Sequence, residues 1–222
     1  MQQMIADIEA EVDFTAKMIG RHRLSDRVMA AMRQVPRHVF VADSLLDDAY
    51  DNRPLPIGYG QTISQPYMVA VMTDLLEPGP NQRILEIGCG SGYQAAVLSL
   101  LVARVISLEI IASLADSARQ RLARLGYPNV EVIEADGSLG WQRQAPYDGI
   151  IVTAAPDAVP QPLIDQLAPN GHLIIPVGAH PLSQQLLDIY KAADGSVIRK
   201  ALLPVRFVPL TGGVKAGGTN PG

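Results

Sequence analysis

Three glycines at alternate positions, Gly88, Gly90 and Gly92 in ILEIGCGSGYQAAVL, are the residues of this 222-residue chain with the clearest chemical meaning. They follow an apolar segment and precede a helical pattern, which puts a flexible turn at the end of a buried strand. Glycine lets the backbone approach a ligand closely, and the start of the next helix offers free N–H groups, in the crevice where open α/β sheets bind nucleotides. A tight turn that needs glycine for its own sake would be written the same way. Glu109 ends the next apolar segment about 20 residues on, where a carboxylate accepts both ribose hydroxyls. To that point a nicotinamide dinucleotide fits as well as any other adenosyl ligand. Glu86 inside the glycine strand, and Asp136-Gly137 after the third strand, add carboxylates suited to an adenosyl group that also carries an amino-acid ammonium. The loop also lacks the later glycine of a dinucleotide fingerprint. Asp136-Gly137 is equally a turn-forming pair.

Other reactive side chains carry less. Cys89 sits between two loop glycines with no neighbouring His or Lys to support a thiolate nucleophile. His38, beside Pro36 and Arg37, reads as a hydrogen-bonded packing residue, and His22, His172 and His180 have no evident role. No Cys or His pair stands at zinc-ligand spacing, so no metal is expected. Tyr59 and Tyr67 flank a loop and suit either a peptide channel or ordinary packing.

These groups need a scaffold. ILEI, VISLEI (105–110), NVEVIEA (129–135), YDGIIVTA (147–154) and GHLIIPV (171–177) read as buried parallel strands, separated by helical stretches such as 112–125 and 160–168. The alternation predicts an α/β fold with a doubly wound, mostly parallel sheet. Residues 1–35 read as helical: Ile5, Ile8 and Val12 recur at helical spacing, and Ser25 stands as an N-cap before Val28, Ala31 and Met32. The face of Ile5, Ile8 and Val12 suits its own core more than a partner chain. PLPIGYGQTISQP (54–66) reads as an ordered loop, and a helix follows over 67–76. QQLLDIY and VIRKALLPVRFVPL form an antiparallel hairpin around AADG, before a tail expected to be flexible over 214–222. A single domain over 1–222 is expected, with an N-terminal helical part (1–53), the loop (54–66) and an α/β core (67–213).

The net charge of −4 gives no electrostatic reason to expect nucleic acid, which favours a protein or small-molecule substrate. One cysteine excludes an intramolecular disulfide. No secretory signal is evident, and no run approaches the roughly 20 apolar residues of a membrane span. Cytoplasm is the expectation, with no membrane association. Balanced charge and no obvious apolar surface stripe favour a monomer.

In order along the chain, EIGCGSG, SLE and EADG resemble motifs I, post-I and II of the class I methyltransferases. PLPIGYGQTISQPYMVA resembles the signature of protein-L-isoaspartate O-methyltransferases, and VPRHVFV and VPLTGG also match that family, over about residues 20 to 213. The resemblance implies S-adenosylmethionine as methyl donor, S-adenosylhomocysteine as product, and isoaspartyl proteins and peptides as substrates. It implies that Gln61, Thr62, Ile63 and Ser64 border the active site, with Ser64 at the family's active-site serine. Ser91, Glu109 and the adjoining Ile110 would contact the donor, and Asp136 and Gly137 would flank its adenine. Thr211 matches the family's C-terminal threonine, and Val69 stands where some relatives place a donor-contacting side chain; the tail after Gly213 diverges. Without the resemblance, Ser64 reads more readily as a loop hydroxyl satisfying a turn backbone. A methyltransferase of another substrate, such as a small metabolite or RNA, would keep the glycine loop, Glu109 and Asp136 without needing QTISQP. A binding protein that keeps the cofactor pocket without turnover remains a further alternative. An NAD-dependent oxidoreductase is disfavoured because no positioned proton donor accompanies the pattern.

Overall fold

A computed structural model describes residues 1–212. The expected tail, 214–222, lies outside them. Helix α1 (Gln2–Ile19) buries Met4, Ile5, Ile8, Val12, Thr15, Ala16 and Ile19, a stripe at three- and four-residue spacing that covers the protein's own core. It ends at Gly20 with φ 75°, whose N–H bonds the Ala16 carbonyl. Ser25 caps α2 (Asp26–Gln34) by accepting from Val28 N, as its sequence position predicted. Asp74, almost fully buried, joins both helices to the core. It accepts from Arg21 at 2.9 Å and from Ser25 N at 2.8 Å.

The segment expected as a loop contains a two-stranded ribbon, β1 (Leu55–Gly58) and β2 (Gln61–Ile63). Tyr59 and Gly60 both have positive φ, 54° and 71°, which is the backbone of a tight two-residue hairpin turn. Pro66 then opens α3 (Pro66–Leu75), every residue of which is buried.

The main sheet comprises β3 (Arg83–Ile87), β4 (Arg104–Glu109), β5 (Val130–Glu134), β6 (Tyr147–Val152), β7 (Leu167–Val177), β8 (Gln185–Lys191) and β9 (Val197–Pro204). Their spatial order is β5-β4-β3-β6-β7-β8-β9, parallel through β7 and antiparallel from there, so the expected α/β architecture and C-terminal hairpin are both present. Helices α4 (Tyr93–Ser99), α5 (Ala112–Arg124) and α6 (Gln161–Gln166) connect the strands. Side chains alternate across β3 and β4: Ile84 and Val105 join the core under the N-terminal helices, and Leu85, Ile87, Ile106 and Leu108 join the opposite core with α6. The helix expected over 160–168 stops at Gln166, because Leu167 already pairs with Tyr147 of β6 before a bulge. Chain order reverses between β3 and β6, which makes the carboxyl ends of these strands the natural ligand crevice.

His172 of β7 and Asp188 of β8 form a half-buried pair, Nδ1 to Oδ1 at 2.8 Å, beside the Tyr190 ring. The Asp188 hydrogen bond raises the His172 pKa above 6.5, more than burial lowers it. A raised histidine pKa gives stability that is full below the unfolded value and disappears as pH rises through the folded one. His172→Gln should therefore lower Tm by about 2–4 °C at pH 5.5, for about 1 kcal/mol lost. The difference from wild type should shrink as melting curves are taken to pH 8.5; a pH-independent difference would contradict the pairing.

Candidate active site

The glycine loop begins where β3 ends. Gly88 N and Cys89 N both donate to the Leu108 carbonyl, at 2.8 and 3.0 Å, which folds the loop back over β4. Gly88, Gly90 and Gly92 have φ of 92°, 53° and 89°, values that strain other residues. At Gly88 a Cβ would also sit 2.5 Å from Thr153 Oγ1. Thr153, just beyond β6, uses that hydroxyl to bond the Gly88 carbonyl at 2.7 Å. Gly92 does not face the cleft; it stands before α4, and a Cβ there would press on Leu122 of α5.

Glu109 ends β4 with each carboxylate oxygen holding one backbone N–H, Gly90 at 2.8 Å and Ile111 at 3.0 Å. A carboxylate has about four acceptor sites, so two remain for ligand hydroxyls. Around it Gln61, Thr62, Gly88, Gly90, Ile110, Gly137, Val208, Leu210 and Thr211 enclose a cleft of about 520 Å³. Residues 208–210 form its far wall because they pair with the end of β6: Ala155 N donates to Val208 O at 2.8 Å, and Leu210 N to Ala155 O at 2.9 Å. A carboxylate for a ribose diol, apolar walls for a flat base and loop backbone close by make a donor set that fits an adenosyl ligand.

Two other predicted carboxylates, Glu86 and Asp136, are not among the residues that line this cleft. Glu86 is fully buried within the sheet and lines none of the clefts described here. Its Oε2 accepts from Ser107 Oγ, while Oε1 has no partner among the described residues. Burial, with a smaller contribution from Glu109, pushes its pKa up to about 8 against the Ser107 bond, so it is mostly a neutral acid at pH 7. Asp136 uses Oδ1 to accept from Ser138 N and Oγ, at 2.9 and 2.7 Å, capping a 3₁₀ turn over Gly137–Leu139. Its neighbours Ala135 and Gly137 reach the cleft. The turn-forming reading of Asp136-Gly137 thus describes the geometry.

Gln61, Thr62, Ile63 and Ser64 come together on β2 and the residue after it. Thr62, from the first cleft, and Ser64, outside it, border a second, wider cleft of about 1150 Å³, with Gln65, Tyr67, Met68 and residues 203–208. A narrow passage lined by Thr62, Ser64, Val69, Gly90, Ser91 and Thr153 lies between the loop and the ribbon. Thr62 and Thr153 border all three spaces, so they mark the junction. The Ser64 hydroxyl forms no hydrogen bond with a described residue, which removes the turn-satisfying reading; only its carbonyl is engaged.

That carbonyl accepts from Arg37, a fully buried arginine just after α2. Arg37 donates to Ala49 O at 2.9 Å, Ser64 O at 2.7 Å and Arg53 O at 3.1 Å, and its guanidinium lies 5.3 Å from the Tyr93 ring centre. Burial lowers its pKa to about 10, which still leaves it charged at neutral pH. Burial pushes the Cys89 thiol up, away from a nucleophile's range. His38 bonds Tyr50 OH at 2.6 Å, as a packing residue should. Arg37 and Thr153 were not singled out from the sequence. Thr153 has a usable signal in its place at the carboxyl end of a parallel strand beside the switch point.

Fold and site together define a class I methyltransferase that uses S-adenosylmethionine. The family model of protein-L-isoaspartate(D-aspartate) O-methyltransferases matches residues 14–215, and the chain belongs to that family. A Syntrophobacter fumaroxidans protein-L-isoaspartate O-methyltransferase 2 is 54% identical over 95% of this chain and 85% of its own. A Polaromonas relative of the same description is 54% identical over 94% of this chain and 99% of its own. Among solved structures, one described as a Plasmodium falciparum enzyme of this type in complex with S-adenosyl-L-homocysteine superposes with TM-score 0.74 at 26% identity, covering 92% of this chain and 97% of that one. Another protein-L-isoaspartate O-methyltransferase gives TM-score 0.76 at 29% identity over 92% of this chain and 66% of that one.

Two substitutions test the geometry. Gly88→Ala combines a positive φ with the Thr153 contact and should weaken S-adenosylmethionine binding by about tenfold or more in calorimetry, for strain of about 1–3 kcal/mol. Arg37→Lys keeps the charge but cannot serve three carbonyls with one planar fork. It should cost about 2–4 kcal/mol and lower Tm by about 5–15 °C; an unchanged Tm would show that the three bonds carry no stability.

Proposed function

We propose that this protein transfers a methyl group from S-adenosylmethionine to the free carboxylate of L-isoaspartyl residues in damaged proteins, the first step of their repair. The observation that carries the reading is the free Ser64 hydroxyl on the wider cleft and on the narrow passage that shares Thr62, Thr153, Gly88 and Gly90 with the Glu109-bearing cleft. The similarity to enzymes so named, at 54% identity over most of the chain, supports it.

When bound, S-adenosylmethionine supplies an electrophilic methyl group. Glu109 would hold its ribose, with Ile110, Gly137 and Leu210 around the base and Gly88 and Gly90 giving close backbone approach. Gln61, Thr62, Ile63, Ser91 and Thr211 would complete the donor's surroundings. Glu86, neutral and buried, would act beneath the loop and not as a counter-charge. An isoaspartyl carboxylate, with pKa about 4, is ionised at neutral pH, so no residue need remove a proton. No histidine lines the three spaces among the described residues, which agrees with that requirement. Ser64 would donate a hydrogen bond to the acceptor carboxylate and fix which oxygen faces the passage, an orientation effect. The extra backbone methylene of isoaspartate would be read by the wide cleft as main-chain shape.

No helix of the described residues is long and apolar enough to cross a membrane. We place the protein in the cytoplasm as a monomeric single domain that acts on protein and peptide substrates and not on nucleic acid. Its one cysteine is buried and its net charge is −4.

The test pairs synthetic peptides that differ only in L-isoaspartate or aspartate at one position, with labelled S-adenosylmethionine. Base-labile label on the isoaspartyl peptide alone is expected, and Ser64→Ala should lower kcat by about tenfold, the worth of one hydrogen bond to a charged group. Equal labelling of both peptides, or none with donor binding intact, would overturn the reading.

A further inference from the structure

The wide cleft has two charged residues among those lining it, Glu11 of α1 and Arg206 beyond β9. Glu11 is committed: its Oε2 accepts from Asn52 Nδ2 at 2.7 Å and from Gln65 Nε2 at 2.9 Å. Arg206 is exposed and forms no hydrogen bond or ion pair with a described residue. Its mount, by contrast, is rigid. Val205 N donates to Gln184 O at 3.1 Å, Phe207 N to Gln184 Oε1 at 2.6 Å, and Gln184 Nε2 returns a bond to Phe207 O at 3.2 Å. Gln184 itself is buried, so these three bonds are shielded from water. The neighbouring lining is apolar, with Pro181, Phe207 and Leu182, the last 77% exposed.

An arginine with a fixed backbone, an uncommitted guanidinium and apolar neighbours, on the same cleft as Ser64, is arranged to meet a negative group on whatever occupies that cleft. Glu11 makes another part of the lining unfavourable to a negative group. Resting on the isoaspartyl reading above, we propose that Arg206 is a specificity determinant: it pairs with an acidic side chain flanking the acceptor residue, on one side of that residue only. The cleft is thus polar along the bound chain, and damaged sites with an acidic neighbour on the Arg206 side are methylated in preference to those with a basic one.

The test uses isoaspartyl peptides carrying Glu or Lys, in turn, at each of the two positions before and after the isoaspartate, with a Gln peptide as the reference within each protein. In the wild type at low ionic strength, Glu should be favoured over Lys in kcat/KM by about three- to fivefold at one flank. That ratio should approach one in Arg206→Ala, invert in Arg206→Glu, and flatten with added salt in the wild type. Glu11→Gln should leave the ratio at the Arg206 flank in place and reduce any preference for Lys at the other flank. A Glu/Lys ratio that is the same in wild type and both Arg206 variants at all four positions would overturn the assignment. Loss of methylation of every isoaspartyl peptide, the Gln reference included and in the wild type itself, would instead overturn the activity on which it rests.

Discussion

A buried guanidinium with three carbonyl partners sets the geometry on which the site depends. Removing a charge from water costs several kcal/mol, and no carboxylate among the described residues pairs with Arg37 to offset that cost. Its three carbonyls and the Tyr93 face do so instead, and although burial lowers its pKa to about 10 it stays charged at neutral pH. The three partners are the carbonyls of residues 49, 53 and 64, so a single side chain ties the path of the chain before the β1–β2 ribbon to the residue that leaves it. The ribbon is short, and two strands alone are marginal in water. Arg37 from below and the Gln65–Glu11 bond from α1 hold its exit, and Ser64 is left with a fixed backbone and a free hydroxyl.

The opposite side of the junction is built by two carboxyls in different settings. Glu109 lies at the strand's end, where each of its carboxylate oxygens accepts one backbone N–H. Glu86, two residues before the first loop glycine, lies inside the sheet, where burial favours the neutral acid. A second ionised carboxylate there would repel Glu109 through a low-dielectric medium. The neutral form removes that repulsion and supplies an O–H, so the same residue type holds the loop's N–H groups in one place and acts as a polar filler in the other. Sequence spacing reports the residue type alone, and burial decides which of the two it becomes.

That distinction separates what was legible in the sequence from what was not. Periodicity exposed the strands, the buried face of α1 and the C-terminal hairpin, because each is a local pattern with one burial solution. Ser25 was legible as a cap because capping is local chemistry. The ribbon was not: its turn is Tyr59-Gly60, and a tyrosine at positive φ is not a turn signal in the way Asn-Gly is. The end of α6 was missed because pairing with β6 takes Leu167 out of the helix. Thr153 and Arg37 were missed for a related reason, since both act through contacts with residues more than ten positions away. Gly88 was found from its motif, yet the steric reason for it, the Thr153 hydroxyl, exists only once β3 and β6 lie side by side.

The chemistry explains why so much of the structure is devoted to placement. A carboxylate that is already ionised and a donor that is already activated leave little for acid–base groups to add, whereas an effective molarity gained by orientation is worth several kcal/mol. Such a gain is lost if either wall of the junction shifts by a fraction of an ångström. The two walls are accordingly fixed by different means: Thr62 belongs to a ribbon held from outside by Arg37, and Thr153 is held by its own bond to the Gly88 carbonyl. Because Thr153 bonds the loop that also hangs from Glu109, displacement of the donor side and of the passage would be coupled. Discrimination among peptide neighbours therefore falls to exposed side chains of the wider cleft, such as that of Arg206, and not to movement of either wall.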